Sequence, residues 1–206
     1  MPIAQKYSIN DAITYLVWEI TESEEELLSH LKLNEEEWAD LNGVKVKSKR
    51  LEWLGARTAL KFLVKELGQF YIYKDKFGKP HLKNSNIGIS VSHANGHGAA
   101  AINLKGEIGV DIESERPQIH RISKRFLHES EKNWSEGDTR KLTKIWAAKE
   151  ALYKLHGRTQ LTFAEQLVVS NLDLGNYSGT ILENESESLY QLHFNITGDT
   201  HLCCAY

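Results

Sequence analysis

The chain has 206 residues, 41% of them hydrophobic and 26% charged, a composition that excludes a disordered or fibrous protein and suffices for one domain or two small ones. Lysine plus arginine number 25 against 28 aspartate plus glutamate, so no overall field draws in nucleic acid, and any phosphate site must be local. The opening residues, MPIAQKYSIND, lack a basic stretch followed by an apolar run, and no segment approaches the apolar length of a membrane span, so a cytoplasmic protein is expected.

In chain order, residues 13–19 (ITYLVWE) are β-branched and aromatic and predict a strand. Residues 22–41 are acidic with leucines at helical spacing and predict one or two short helices. Residues 45–67 carry Leu51, Leu54, Leu60, Leu63 and Leu67 at three- and four-residue intervals before Gly68, which predicts a helix with a glycine stop. A polar turn, KDKFGKP (74–80), leads into predicted strands at 87–91 and 97–103; beyond a turn at Lys105 and Gly106, another follows at 108–112. Helix patterns occupy 119–134 and 139–155, the latter ending at Gly157, and strands are expected at 167–171, 177–182, 190–196 and 201–206. Cys203 and Cys204 are adjacent and cannot by themselves form a long-loop disulfide or a metal-ligand set; they predict buried strand residues in a reducing compartment.

Trp53, Arg57 and Lys61 share the spacing of Trp146, Glu150 and Lys154, each set lying in a long helix pattern that ends at glycine. This favours two similar α+β halves, residues 1–105 and 106–206, with a site expected at the cleft between them.

Four stretches could carry chemistry. In GVDIE (109–113), Asp111 and Glu113 are two apart, which on a strand puts both carboxylates on one face and Val110 and Ile112 on the other. That is half of a magnesium site, or an amphipathic strand with a solvated acidic face. In WAAKEALYK (146–154), Glu150 and Lys154 lie one helical turn apart, also an ordinary stabilising pair, and Lys149 could face either solvent or a phosphate. ISVSHANG (89–96) delivers Ser92 and His93 into a turn suited to a phosphate oxygen; a structural histidine is the plainer alternative. FGKP (77–80) stands among Lys74, Lys76 and Lys79, which by themselves read as solvated lysines.

Taken in order, FGKP, ISVSHANG, GVDIE, RFLHESE and WAAKEALYK resemble the 4'-phosphopantetheinyl transferase superfamily, over residues 50–155. The resemblance is to the larger, monomeric type that activates synthetases and fatty-acid carriers, an intramolecular pseudo-dimer of two α/β subdomains, each a long helix on a small sheet. The short trimeric holo-acyl-carrier-protein synthases place their aspartate motif near the chain start, whereas here more than a hundred residues precede Asp111. Val110 replaces the commoner isoleucine, and Ala147 stands where many relatives have serine or threonine; neither change removes a ligand.

The resemblance implies that Asp111, Glu113 and Glu150 hold magnesium, or manganese, with the pyrophosphate of coenzyme A, which Lys154 approaches. It also implies that Lys79, Ser92 and His93 hold the 3'-phosphate or nearby groups, with Arg57, Arg50 and Lys74 at the nucleotide end. Glu131 matches the glutamate of the F-x-x-x-x-E stretch beginning at Phe126, a positioner of water or a base, with Glu129 its competitor. The expected reaction is transfer of the 4'-phosphopantetheine arm to a serine of an acyl, peptidyl or aryl carrier protein, releasing 3',5'-ADP. The acidic carrier would dock on the basic cluster Arg116, Arg121, Lys124 and Arg125, which could equally be a solvated helix face. Two rivals from other classes are a non-catalytic coenzyme A or nucleotide-binding module, which could dispense with the three carboxylates, and a structural carrier-binding factor indifferent to magnesium and coenzyme A.

Overall fold

The structure is a computed structural model that describes residues 3–67, 71–135, 137–157, 160–171, 176–183 and 186–206. The chain is of mixed α+β class and divides into two compact units, Met1–Gly106 and Glu107–Tyr206. In each, one long helix packs against an antiparallel sheet.

The first unit opens with strands β1 (Ile3–Ser8) and β2 (Ile13–Glu19), paired antiparallel. Helices α1 (Glu24–Ser29) and α2 (Glu35–Gly43) follow, each started by a capping box. Ser23 and Asn34 accept the backbone N–H three residues on, while Glu26 and Glu37 reach back to the cap N–H, so two otherwise orphaned donors are satisfied at each start. Helix α3 (Lys47–Val64) runs into a short 3-10 turn, Lys65–Leu67; the glycine stop expected at Gly68 lies outside the described residues. A two-stranded ribbon, β3 (Ile72–Lys74) and β4 (Pro80–Leu82), brackets the FGKP turn. Strands β5 (Gly88–Ala94) and β6 (His97–Asn103) complete a sheet of order β1-β2-β6-β5. Leu16, Trp18, Ala59, Leu60, Leu63, Ile89 and Ala100 form the core between this sheet and α3.

The second unit begins with β7 (Gly109–Ser114). The single helix predicted over 119–134 is two, α4 (Ile119–Phe126) and α5 (Glu129–Ser135), because Leu127 is extended and Glu131 accepts from the His128 N–H (2.7 Å), restarting the helix. Helix α6 (Thr139–His156) is capped by Asp138 and ends at Gly157, whose φ of 102° is the left-handed conformation a glycine stop provides. A short helix α7 (Phe163–Gln166) and strands β8 (Leu167–Asn171), β9 (Tyr177–Glu183), β10 (Ser186–Thr197) and β11 (Thr200–Ala205) follow, in a sheet of order β7-β11-β10-β9-β8. Phe126, Ile145, Ala147, Ala148, Ala151, Leu152, Val169 and Cys203 belong to its core. Both cysteines are buried strand residues, and burial pushes the Cys203 and Cys204 thiols well up, which makes them poor nucleophiles. No helix among the described residues is long and apolar enough to cross a membrane.

Candidate functional site

The second unit's site is built where α6 crosses β7. Gly109 faces the helix, and a Cβ there would lie 1.8 Å from the Ala151 carbonyl oxygen, so only glycine permits this approach. By strand alternation Asp111 and Glu113 share the Gly109 face, so the carboxylates lie on the helix side of the sheet. Asp111 is 4% exposed and Glu113 partly buried, which removes the alternative of a solvated acidic face. Val110 and Ile112, on the opposite face, are buried as well.

Two helix side chains fix the register of helix over strand. Trp146 donates its indole N–H to Glu113 Oε1 (2.9 Å). Lys154 donates from Nζ to Asp111 Oδ1 (2.7 Å) and to the Val110 carbonyl (3.1 Å). Glu150 lies midway, four residues from each, so the stripe Trp146, Glu150, Lys154 runs along the helix face turned to the two carboxylates. Burial, and then the charge of Asp111, push the Glu113 carboxyl above its ordinary range, against the pull of Trp146, Arg116 and Lys154. Two neighbouring carboxylates so placed gain from a cation, and their hard oxygen donors suit magnesium. Among the described residues, no group of three or more His, Cys, Asp or Glu side chains is arranged to hold a metal ion.

Several neighbours of the two carboxylates carry no signal in the sequence. Cys203 and His201 stand opposite Asp111 and Glu113 on β11. His201 is fully buried, its Nε2 2.8 Å from Glu115 Oε1, and Arg116 donates to Glu113 Oε2 (3.1 Å). Trp146 reads from sequence as an apolar anchor; its ring packs on Phe126 and Phe163, and its N–H also holds Glu113.

Glu131 stands apart from this chemistry. It is fully buried, paired with the equally buried Lys149 (2.8 Å), and accepts from the Val169 N–H (2.7 Å) and the His128 N–H. Lys149 spends its remaining donors on the Phe126 (2.5 Å) and Phe163 (2.9 Å) carbonyls, so it faces neither solvent nor a phosphate. A base or water-positioning role at Glu131 therefore lacks a solvent-facing oxygen, and the pair is a strut tying α4, α5, α7 and β8 to α6. Its competitor, Glu129, is exposed and paired with Lys132.

In the first unit, His93 and Ser92 lie on opposite faces of β5, His93 partly exposed and Ser92 buried. The imidazole Nδ1 meets Glu52 Oε2 (3.2 Å), and Lys49 Nζ meets the same oxygen (2.6 Å). Asn95 and Gly96, both with positive φ, turn the hairpin into β6. Lys79 is buried in the FGKP turn, where Asp75 Oδ1 accepts from the Phe77 and Lys79 N–H groups (2.8 and 3.0 Å). Three other basic residues expected at the nucleotide end are tied to the acidic helices. Arg50 pairs with Glu24, Arg57 with Glu37 (3.2 Å) while stacking on Trp53, and Lys74 with Asp40. The equal spacing of Trp53, Arg57, Lys61 and of Trp146, Glu150, Lys154 thus serves different surroundings: Lys61 donates to the His30 carbonyl after α1.

The comparisons with known proteins fall on the second unit. Residues 107–205 match the family model of the 4'-phosphopantetheinyl transferase superfamily. The chain is also similar to a protein of Synechocystis sp. (strain ATCC 27184 / PCC 6803 / Kazusa) whose name assigns it, provisionally, to the 4'-phosphopantetheinyl transferases. The two are 31% identical over 91 residues, a stretch that covers 39% of this chain and 37% of that relative.

Proposed function

We propose, from the match of residues 107–205 to the 4'-phosphopantetheinyl transferase superfamily, that this protein transfers the 4'-phosphopantetheine arm of coenzyme A to a serine of an apo acyl, peptidyl or aryl carrier protein, releasing 3',5'-ADP. The observation that carries the reading is the Trp146–Glu150–Lys154 stripe of α6 lying over Asp111 and Glu113 of β7.

Asp111 and Glu113, with Glu150 from the helix, are the residues that would hold a magnesium ion. When bound, such an ion neutralises charge that builds on pyrophosphate oxygens during transfer. The serine oxygen attacks the β-phosphorus, the bond from that phosphorus to the bridging oxygen breaks, and the electron pair leaves with 3',5'-ADP. Glu150 takes the serine proton, since Glu131 is sealed in its ion pair. Lys154, already anchored at Asp111, stabilises the leaving oxygen. Trp146 holds Glu113 in orientation. At the other end of coenzyme A we assign the 3'-phosphate to His93, with Lys79 and Ser92. Arg50, Arg57 and Lys74, which pair with Glu24, Glu37 and Asp40, tie α1 and α2 to the unit and would offer their remaining donors to the nucleotide end. We place the carrier on α4, where Ile119 and Phe126 face the core while Arg121, Lys124 and Arg125 are exposed, a basic surface matched to an acidic partner.

Intact-mass spectrometry of apo carrier protein, after incubation with this protein, coenzyme A and magnesium, tests the reading. We expect a gain of one phosphopantetheine group, lost with chelator and lost in Asp111→Ala and Glu150→Ala variants that keep their circular dichroism. Transfer at the parent rate by either variant, or no gain on several folded carriers despite coenzyme A binding, would overturn it.

A further inference from the structure

Glu52 is a carboxylate on the apolar side of a helix. It is 4% exposed and lies in register with Ala56, Ala59 and Leu63, at the spacing of one buried stripe of α3. A charge so placed needs partners. Its partners are the imidazole Nδ1 of His93 at 3.2 Å, the Gly96 N–H at 3.5 Å and Lys49 Nζ at 2.6 Å. Glu52 therefore grips the β5–β6 hairpin at both its side chain and its turn. The crossing that brings it there is fixed: β6 puts Gly98 opposite His93, and a Cβ at Gly98 would lie 2.2 Å from the Ala56 nitrogen.

We propose that Glu52 is the positioning residue of His93: it accepts the Nδ1 proton, fixes that tautomer, turns Nε2 away from α3, and by its charge favours the imidazolium that binds a phosphate. The second half of this rests on the reading of His93 as a 3'-phosphate ligand. Burial alone would raise the Glu52 carboxyl, but Lys49, His93 and the Gly96 N–H together hold it below the ordinary glutamate range, so it meets the imidazole as a carboxylate. From α3, Glu52 and, through the shared oxygen, Lys49 bring charge to the imidazole. From the hairpin, His97 turns its Nδ1 to the Asn95 carbonyl instead. The nitrogen that donates to a carboxylate decides which nitrogen is offered to a ligand.

The test uses the full chain, wild type against Glu52→Gln, Glu52→Asp and His93→Gln. Nitrogen-15 histidine spectra without ligand should show the Nδ1–H tautomer of neutral His93 in the wild type and a lower titration midpoint in Glu52→Gln, partly restored by Glu52→Asp. Calorimetry should show Glu52→Gln weakening coenzyme A roughly tenfold, as loss of a charge-assisted contact implies, while dephospho-coenzyme A binds as before. An unchanged His93 tautomer and midpoint in Glu52→Gln would overturn the proposal. So would equal weakening of both ligands by Glu52→Gln where His93→Gln weakens coenzyme A alone, which marks a merely structural role. If the spectra shift as expected but His93→Gln weakens both ligands alike, or neither, Glu52 still positions His93 and the 3'-phosphate reading is what fails.

Discussion

Lys149 is a cation held at zero exposure, tolerable only because each of its donors is spent: on Glu131 and on two backbone carbonyls. Removing one partner strands the other, so Glu131→Ala or Lys149→Met should each lower stability by about 3–5 kcal/mol, whereas a double Glu131→Gln/Lys149→Met change should cost less than the sum. Burial pushes the Lys149 ammonium from 10.5 down to about 8, against the charge of Glu131. Between about pH 8 and 10.5 the unfolded chain therefore keeps a proton that the folded chain has released, and stability due to this group rises with pH across that window. Below pH 8 both states hold the proton and the slope vanishes. Urea unfolding of wild type and double variant from pH 7 to 10.5 checks this: the difference should move in favour of the wild type above pH 8, and a flat difference would mean an ordinary lysine. The identity of Lys149 was plain in the sequence but its direction was not, because its position in WAAKEALYK is compatible with either solvent or core until α4, α7 and β8 close over it.

At the scale of elements, glycine decides how close helix and strand come. Gly109 has the Ala151 carbonyl, and Gly98 the backbone at Gly55 and Ala56, where a Cβ would stand. Gly109→Ala should push α6 off β7 and destabilise by about 3 kcal/mol or more, since backbone cannot yield as a side-chain tip can. Gly43→Ala, with nothing within 4 Å, is the matched control and should leave the melting temperature nearly unchanged. Below the melting temperature Gly109→Ala should also lose transfer activity, because the Trp146–Glu113 and Lys154–Asp111 contacts depend on that crossing. Helices α3 and α6 and strand β2 were legible in the sequence because apolar residues recur at 3.6 or 2.0 intervals over long stretches. Strand β1 was not: IAQKYS, at the edge of its sheet, lacks an apolar alternation long enough to read, and the three-residue β3 and β4 are shorter than any pattern. The break between α4 and α5 leaves no mark in the sequence because Glu131 caps from within a run that keeps its helical spacing. That Asp111 and Glu113 share a face follows from a spacing of two; which helix side chains meet them depends on the crossing, which no local pattern encodes.

For the whole molecule, a net charge of −3 offers an acidic carrier no general attraction, so the docking we propose would have to come from a local surface such as α4. The two units each possess a hydrophobic core, and the family match falls wholly on the second. The residues we assign to the 3'-phosphate, Lys79, Ser92 and His93, belong to the first. A chain cut to residues 107–206 should therefore retain a cooperative urea transition, because the contacts of α6 with its sheet are internal to it. It should also keep Asp111, Glu113, Glu150 and Lys154 in place while losing the residues we assign to the 3'-phosphate. With charge-assisted phosphate contacts each contributing on the order of a tenfold factor, coenzyme A affinity should fall by roughly a hundredfold or more, and transfer to carrier protein with it. Dephospho-coenzyme A, which lacks the group those residues would hold, should lose less. Calorimetry on the full and shortened chains with both ligands reads this directly: a shortened chain that binds coenzyme A as tightly as the full chain would place the entire substrate on the second unit and leave the first without a binding role.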